Sequence, residues 1–494
     1  MELRERFPRS SLTLWIGLGA VAIGLGVAPL LSVAPALSVA GLSVLLLIAA
    51  VVAYPPLAAY FVIGATPLIV GMDRGLVVPL VRPNEALALI LAAALIAHAL
   101  LNWAAGGSLR FRLTRLDLTL LTLAATGSVI PLTWMLARGR EITEDDILYA
   151  VVLWKYYALF LIVRTSVRTE RQVRTCLWLS LGVGAVVGII GILQALQLFG
   201  VPGLLASFYS PDDDPSALTI NRATSTLSHS QAVADVMVFN LAIAGGLLLR
   251  RAKQRQLLLG ACVLFLFGAL ASGQFSGVLA LLVGVLALGL ITKQLSRVAL
   301  LSLPAGLVGA LALRPVIDRR IGDIQNAEGG LPISWVSRLD NLETRFWPEI
   351  VSDYNWLLGV QTAARVRPGG VSIYIESGHT WLLWTGGIPF FIAFFVFIWI
   401  ALRSLARVAR ERTDAVGVAG IAGFVAFSVV ALTMIFDPHL TLRGSADLSF
   451  PLLALASVTP GGSRNKRGGS GPLRREPIPR HVEQRNRLDA RDAV

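Results

Sequence analysis

The 494-residue chain is 55% hydrophobic with a mean hydropathy of +0.70, and its apolar residues gather in runs of about 17–25 residues, the length that crosses a hydrocarbon core. This excludes a soluble globular enzyme. It implies an all-α fold, a polytopic transmembrane helical bundle, because a helix satisfies its own backbone in lipid and the alternation of β-barrel strands is missing. The net charge of +13 does not imply nucleic acid: the cations border apolar runs instead of forming one stripe with interleaved aromatics, so membrane lipids are the expected partners.

The basic opening, Met1 to Ser11, resembles a signal peptide in charge, but the apolar run after it is too long and further spans follow at once. A retained first helix is expected, with cleavage near Ala34 as the alternative. Spans are expected at 12–34, 36–53, 55–71, 84–104, 116–137, 147–163, 175–199, 232–249, 257–273, 276–292, 298–313, 379–401, 415–436 and 445–458, twelve to fourteen in all. With fourteen spans and a cytoplasmic N-terminus, the clusters around Arg110, Arg168, Arg251 and Arg407 share one side, which then carries roughly twice the cations of the other. Both termini are therefore expected in the cytoplasm. Residues 1–458 form the bundle, and 459–494, rich in Gly, Ser, Pro and charge, read as a disordered basic tail. No inverted repeat relates the two halves, which disfavours a transporter built from them.

Two outer segments, about 200–231 and 314–378, exceed ordinary connectors. The first carries Asp212-Asp213-Asp214 and then NRATSTLSHSQ. There Arg222 admits an ordinary loop ion pair as well as a substrate contact. In the second, Trp335, Leu339, Leu342, Phe346 and Ile350 recur every three or four residues, as in a helix lying on the membrane surface with its apolar stripe down. Arg338 and Arg345 then share one edge of that stripe, either snorkelling or facing a phosphorylated lipid. Pro348 is expected to kink or end the helix near Trp347. Lys155, costly inside its span, is expected to face the bundle interior or snorkel.

No phosphate-binding loop, nucleophile elbow, zinc-binding helix or other metal cluster occurs, and Cys176 and Cys262 are too few for a disulfide framework. Among the five histidines, His98 reads as a helix-packing hydrogen bonder, His439 as a local turn contact and His481 as solvated. His379 follows Glu376 by three residues where an outer loop re-enters the membrane. It can accept a proton from a sugar hydroxyl near neutral pH, or simply cap the helix that follows.

Four stretches, taken in order, resemble the O-antigen ligase and O-antigen polymerase-like membrane glycosyltransferases. They are NRATSTLSHSQAVADVMVFNLA (Asn221–Ala242), ALASGQFSGVLALLVG (Ala269–Gly284), RFWPEIVSDYNWLLGV (Arg345–Val360) and the run from His379 to Gly387. Thr380 stands where the family usually has Asn, and Gln274 where many members have Arg. The resemblance implies an undecaprenyl-diphosphate-linked glycan donor, a glycan or glycolipid acceptor, no metal or other cofactor, and a place in the bacterial inner membrane making cell-surface polysaccharide. His379 is then the expected base, with Arg222, Arg338, Arg345, Gln274 and Glu376 as substrate contacts. Such arginines would neutralise a diphosphate leaving group. The rivals are a flippase of lipid-linked oligosaccharide and a non-catalytic partner of a polysaccharide synthase.

Overall fold

In the computed structural model the described residues are 35–75, 81–108, 113–209, 222–250, 254–325, 333–367 and 372–459. The expected span at 12–34, the Asp212–Asp214 run and the tail beyond Thr459 lie outside them. Every other expected span is helical. In chain order these are α1 (Pro35–Ala53), α2 (Pro56–Ile69), α3 (Pro83–Ala104), α4 (Arg115–Ala137), α5 (Glu144–Ser166), α6 (Glu170–Ala195), α7 (Ser230–Leu249), α8 (Arg255–Ala271), α9 (Phe275–Thr292) and α10 (Leu295–Ala312). After them come α11 (Arg314–Gln325), α12 (Ile333–Asn341), α13 (Trp347–Val351), α14 (Gly378–Glu411), α15 (Ala415–Thr433) and α16 (Ser445–Ala456). Among the described residues nine helices are long and apolar enough to cross a membrane, and four more are shorter apolar helices. The protein is a multi-pass membrane protein.

Local chemistry sets the helix starts. Pro56 and Pro83 occupy first-turn positions that need no backbone N–H. Thr114, Thr143, Thr169 and Asp414 each accept the N–H of the residue three positions on, capping α4, α5, α6 and α15. The centre of the bundle is α7 and α15, whose spanning windows are 83% and 78% inside the protein, against 17% for α3 and 11% for α10. The outer helices turn leucines such as Leu89, Leu300 and Leu303 outward, as lipid contact requires.

The loops sort into two ends. At one, Arg164 pairs with Asp117, and Arg250 donates to Ala409 O and Asp414 O. At the other, residues from 71–75, 81–82, 138–145, 229–231, 355–367, 372–376 and 437–443 come together.

The structure departs from expectation in two places. The span expected at 379–401 belongs to a 34-residue helical run that is broken at Gly387 (φ 61°, ψ −155°). The His379 ring lies 6.2 Å from Phe391 and 6.1 Å from Phe395, residues that a straight helix would place roughly 18 and 24 Å further along. The chain therefore reverses at Gly387. Residues 378–386 form a separate arm folded back on the crossing helix, 388–411. The second correction concerns the stripe in 333–351. Leu342, Phe346 and Ile350 are buried in the protein, with Phe346 edge-on to Trp384 at 5.1 Å, and Trp335 packs on Phe275 and Phe436. These four residues meet the bundle and not a membrane surface, while Leu339 of the same stripe is exposed.

A Cβ at Gly387 would lie 2.5 Å from the Leu357 backbone, whereas one at Gly260 meets open space. Gly387→Ala should lower the thermal unfolding temperature of the detergent-purified protein clearly. Gly260→Ala should leave it unchanged or raise it slightly, since Ala is favoured over Gly in a helix by about 1 kcal/mol.

Candidate functional site

A cavity of about 460 Å³ opens at the end where the second set of loops meets. Its wall carries Arg74, Arg82, Lys155, Arg365 and Arg443 against Glu85, Asp145, Glu376 and Asp437. Each is held by a local device. Glu85 closes the first turn of α3 by accepting the Arg82 N–H at 3.1 Å, and its other oxygen takes Arg74 at 3.4 Å. Asp145, in the first turn of α5, receives Arg365 through two bonds, Nε at 3.0 Å and NH2 at 2.6 Å. A two-stranded ribbon, β1 (Arg365–Val366) and β2 (Ile373–Tyr374), sets Arg365 opposite Tyr374, whose hydroxyl accepts from it at 3.0 Å. The bond to Asp145 pushes the Arg365 pKa further up and fixes its charge.

Deeper in, Lys155 faces the bundle interior, as one of the two readings of its cost required. Its ammonium lies 3.6 Å from Asp447 and 4.3 Å over the Tyr156 ring. At the wall formed by the outer loops, Arg338 sits between two carboxylates, 3.2 Å from Glu376 and 3.6 Å from Asp437. Burial holds the Glu376 carboxyl above the usual carboxylate range; Arg338 opposes the rise and Asp437 adds to it.

Of the expected site residues, Glu376 lines the cavity and Arg338 supports it from behind. His379 does not line it. The reversal at Gly387 lays its ring against Phe395 with an interplanar angle of 13°, while Trp381 and Thr385 of the same arm turn to the cavity. Arg345 is exposed whereas Arg338 is half-buried between Glu376 and Asp437, and the turn Leu342–Phe346 between them is π-helical, a wider loop than the seven-residue register assumes. Gln274 is engaged elsewhere, donating to Ser230 Oγ at 2.7 Å, and Arg222 is half-buried outside the cavity wall.

Two of the motifs are structural where they stand. In the stretch after Arg222, the backbone N–H groups of Thr224 and Ser225 both donate to the buried Gln194 side chain, Ser225 Oγ donates to Val187 O, and Ser228 Oγ to Gly71 O. NWLLGV (Asn355–Val360) is gripped by Arg138, which binds Asn355 and the carbonyls of Gly359 and Val360. Gly359 (φ 95°) passes so close to α14 that a Cβ there would collide with Thr385 O. His98 is a packing contact, bonded to Val52 O at 2.8 Å and to Asn102 at 2.8 Å. The cavity residues that sequence reasoning did not select, Arg74, Arg82, Arg365 and Arg443, did carry a signal: all are cations on the side that should be poor in them.

Neither a protein-family model nor a curated protein matches this chain.

Lys155 and Asp447 test the cost of a buried charge. Lys155→Met leaves Asp447 uncompensated and should destabilise the purified protein by about 3 kcal/mol in chemical unfolding. Adding Asp447→Asn, which keeps an acceptor for the Gly444 N–H, should recover part of that loss.

Proposed function

We propose that the protein is a membrane glycosyltransferase of the O-antigen ligase or polymerase kind, moving a glycan from a polyprenyl diphosphate to a sugar hydroxyl. The cavity carries this reading: five cations line a space between loops, with more positive than negative groups in its wall. Arg74 Nε and the Thr385 hydroxyl are buried there with no hydrogen-bond partner among the described residues. The donor, a diphosphate diester, is dianionic, and the polyprenyl diphosphate that leaves it gains a further negative charge, which such cations and donors stabilise. The cation pattern supports reading this end as the non-cytoplasmic one with both termini inside, and the family resemblance implies a bacterial cytoplasmic membrane.

In the reaction the acceptor oxygen attacks the anomeric carbon, the carbon–diphosphate bond breaks with its electron pair on the diphosphate, and the configuration inverts. Glu376, a cavity carboxylate with a raised pKa, takes the acceptor proton, a role worth about 10²–10⁴ in rate. Trp381 and Tyr374 offer sugar-stacking faces. The flippase alternative draws support from one observation: the cavity reaches Lys155, midway along α5.

Purified protein with a polyprenyl-diphosphate glycan and an acceptor glycan should form product, and Glu376→Gln should abolish it at unchanged protein abundance. Activity should fall as the medium is acidified through the raised Glu376 pKa, because the protonated carboxyl cannot act as a base. His379→Ala should retain activity; loss in that variant with activity kept in Glu376→Gln returns the base to the imidazole. Leaflet exchange of the lipid without product selects the flippase.

A further inference from the structure

Behind the cavity floor lies an ionisable group that the transfer step does not use. Asp235 Oδ2, on α7, accepts from His439 Nδ1 at 2.7 Å and from Ser445 Oγ at 2.7 Å, and all three residues are buried. Asp235 Oδ1 and His439 Nε2 have no hydrogen-bond partner among the described residues, and neither has Asp437 Oδ2. His439 belongs to the connection 434–444 between α15 and α16. That connection supplies Asp437, Thr441 and Arg443 to the cavity, with Thr441 O accepting from Tyr156 Oη at 3.1 Å and Arg443 donating to His229 Nε2 at 2.9 Å. One side-chain pair thus pins the floor of the cavity to the buried centre of the bundle.

A buried carboxylate served only by neutral donors is expensive, and an imidazolium partner compensates its charge. The charged groups acting on His439 are Asp235 from α7, Asp437 from its own connection and Arg338 from α12, with Glu376 beyond Arg338. Burial disfavours the charged ring, but the Asp235 carboxylate, helped by Asp437 and opposed by Arg338, raises the pKa above the ordinary histidine value.

We propose that His439 is a positioning residue: as an imidazolium bonded to Asp235 it holds the 434–444 connection, and so keeps Asp437 against Arg338 and Arg338 against Glu376. Its effect on catalysis rests on the transferase reading; its effect on stability does not. A group whose folded pKa is raised gives stability that is complete below the unfolded value and is lost as pH rises through the folded one.

The test is thermal unfolding of the full-length protein in detergent from about pH 6 to pH 9, around and above the ordinary histidine pKa. The unfolding temperature should fall across that range with a midpoint above the ordinary value. His439→Gln should remove this transition, and Asp235→Asn should move its midpoint down by about one pH unit or more. Should Asp235→Asn fail to fold, Ser445→Ala serves instead: deleting the competing donor strengthens the Asp235–imidazolium pair and should move the midpoint up. In the transfer assay the alkaline limb of kcat should share the midpoint and shift with it. An absent transition, or a midpoint indifferent to these variants, overturns the proposal. An intact, shifting transition in a protein that makes no product keeps His439 as a fold anchor and sinks the transferase reading alone.

Discussion

An ionised side chain inside an apolar bundle persists only beside an opposite charge, since its desolvation costs several kcal/mol that nothing but a close partner offsets. Three such pairings shape this protein. Arg338 is shared by Glu376 and Asp437, Lys155 meets Asp447, and His439 meets Asp235. Each joins segments distant in the chain, so none forms until the helices that carry them have packed. All three have a partner on the 434–447 stretch, where α15 hands over to the short α16. That stretch is the floor of the cavity, and its shape is dictated by charges it has to satisfy on both sides.

The second governing feature is geometric. The run from Gly378 to Glu411 is apolar through most of its length but carries Gly386-Gly387 and Pro389, and Gly387 takes a conformation open to glycine and folds the first arm back. Leu357 and Gly359 lie against that arm, Arg138 grips the carbonyls of Gly359 and Val360, and Val360 N–H donates to Trp384 O at 2.6 Å. The arm is thereby rotated so that Trp381 and Thr385 turn to the cavity and the His379 ring turns to Phe391 and Phe395. Glu376, and not His379, therefore lines the cavity.

Polar motifs in a membrane protein invite a chemical interpretation that tertiary structure often redirects. The serines and threonines at 224–228 look like a ligand loop, but Gln194 takes the backbone N–H groups of Thr224 and Ser225, and the carbonyls of Val187 and Gly71 take the hydroxyls of Ser225 and Ser228. Arg338 and Arg345, spaced for one helix face, part company at a π-helical turn. Outer-side cations were the better guide. Arg74, Arg82, Arg365 and Arg443 all line one cavity, where Arg74 pairs with Glu85 and Arg365 with Asp145.

Length and hydropathy alone determined the helices and their approximate ends, because crossing a bilayer constrains each segment by itself. What only the tertiary structure decided is which side chains meet. Arg365 finds Asp145 across 220 positions of the chain and His439 finds Asp235 across 204, neither meeting signalled by spacing. Such meetings depend on where a helix breaks, how a π turn shifts its register and which carboxylate is close enough to offset a buried charge, and these are properties of packed helices.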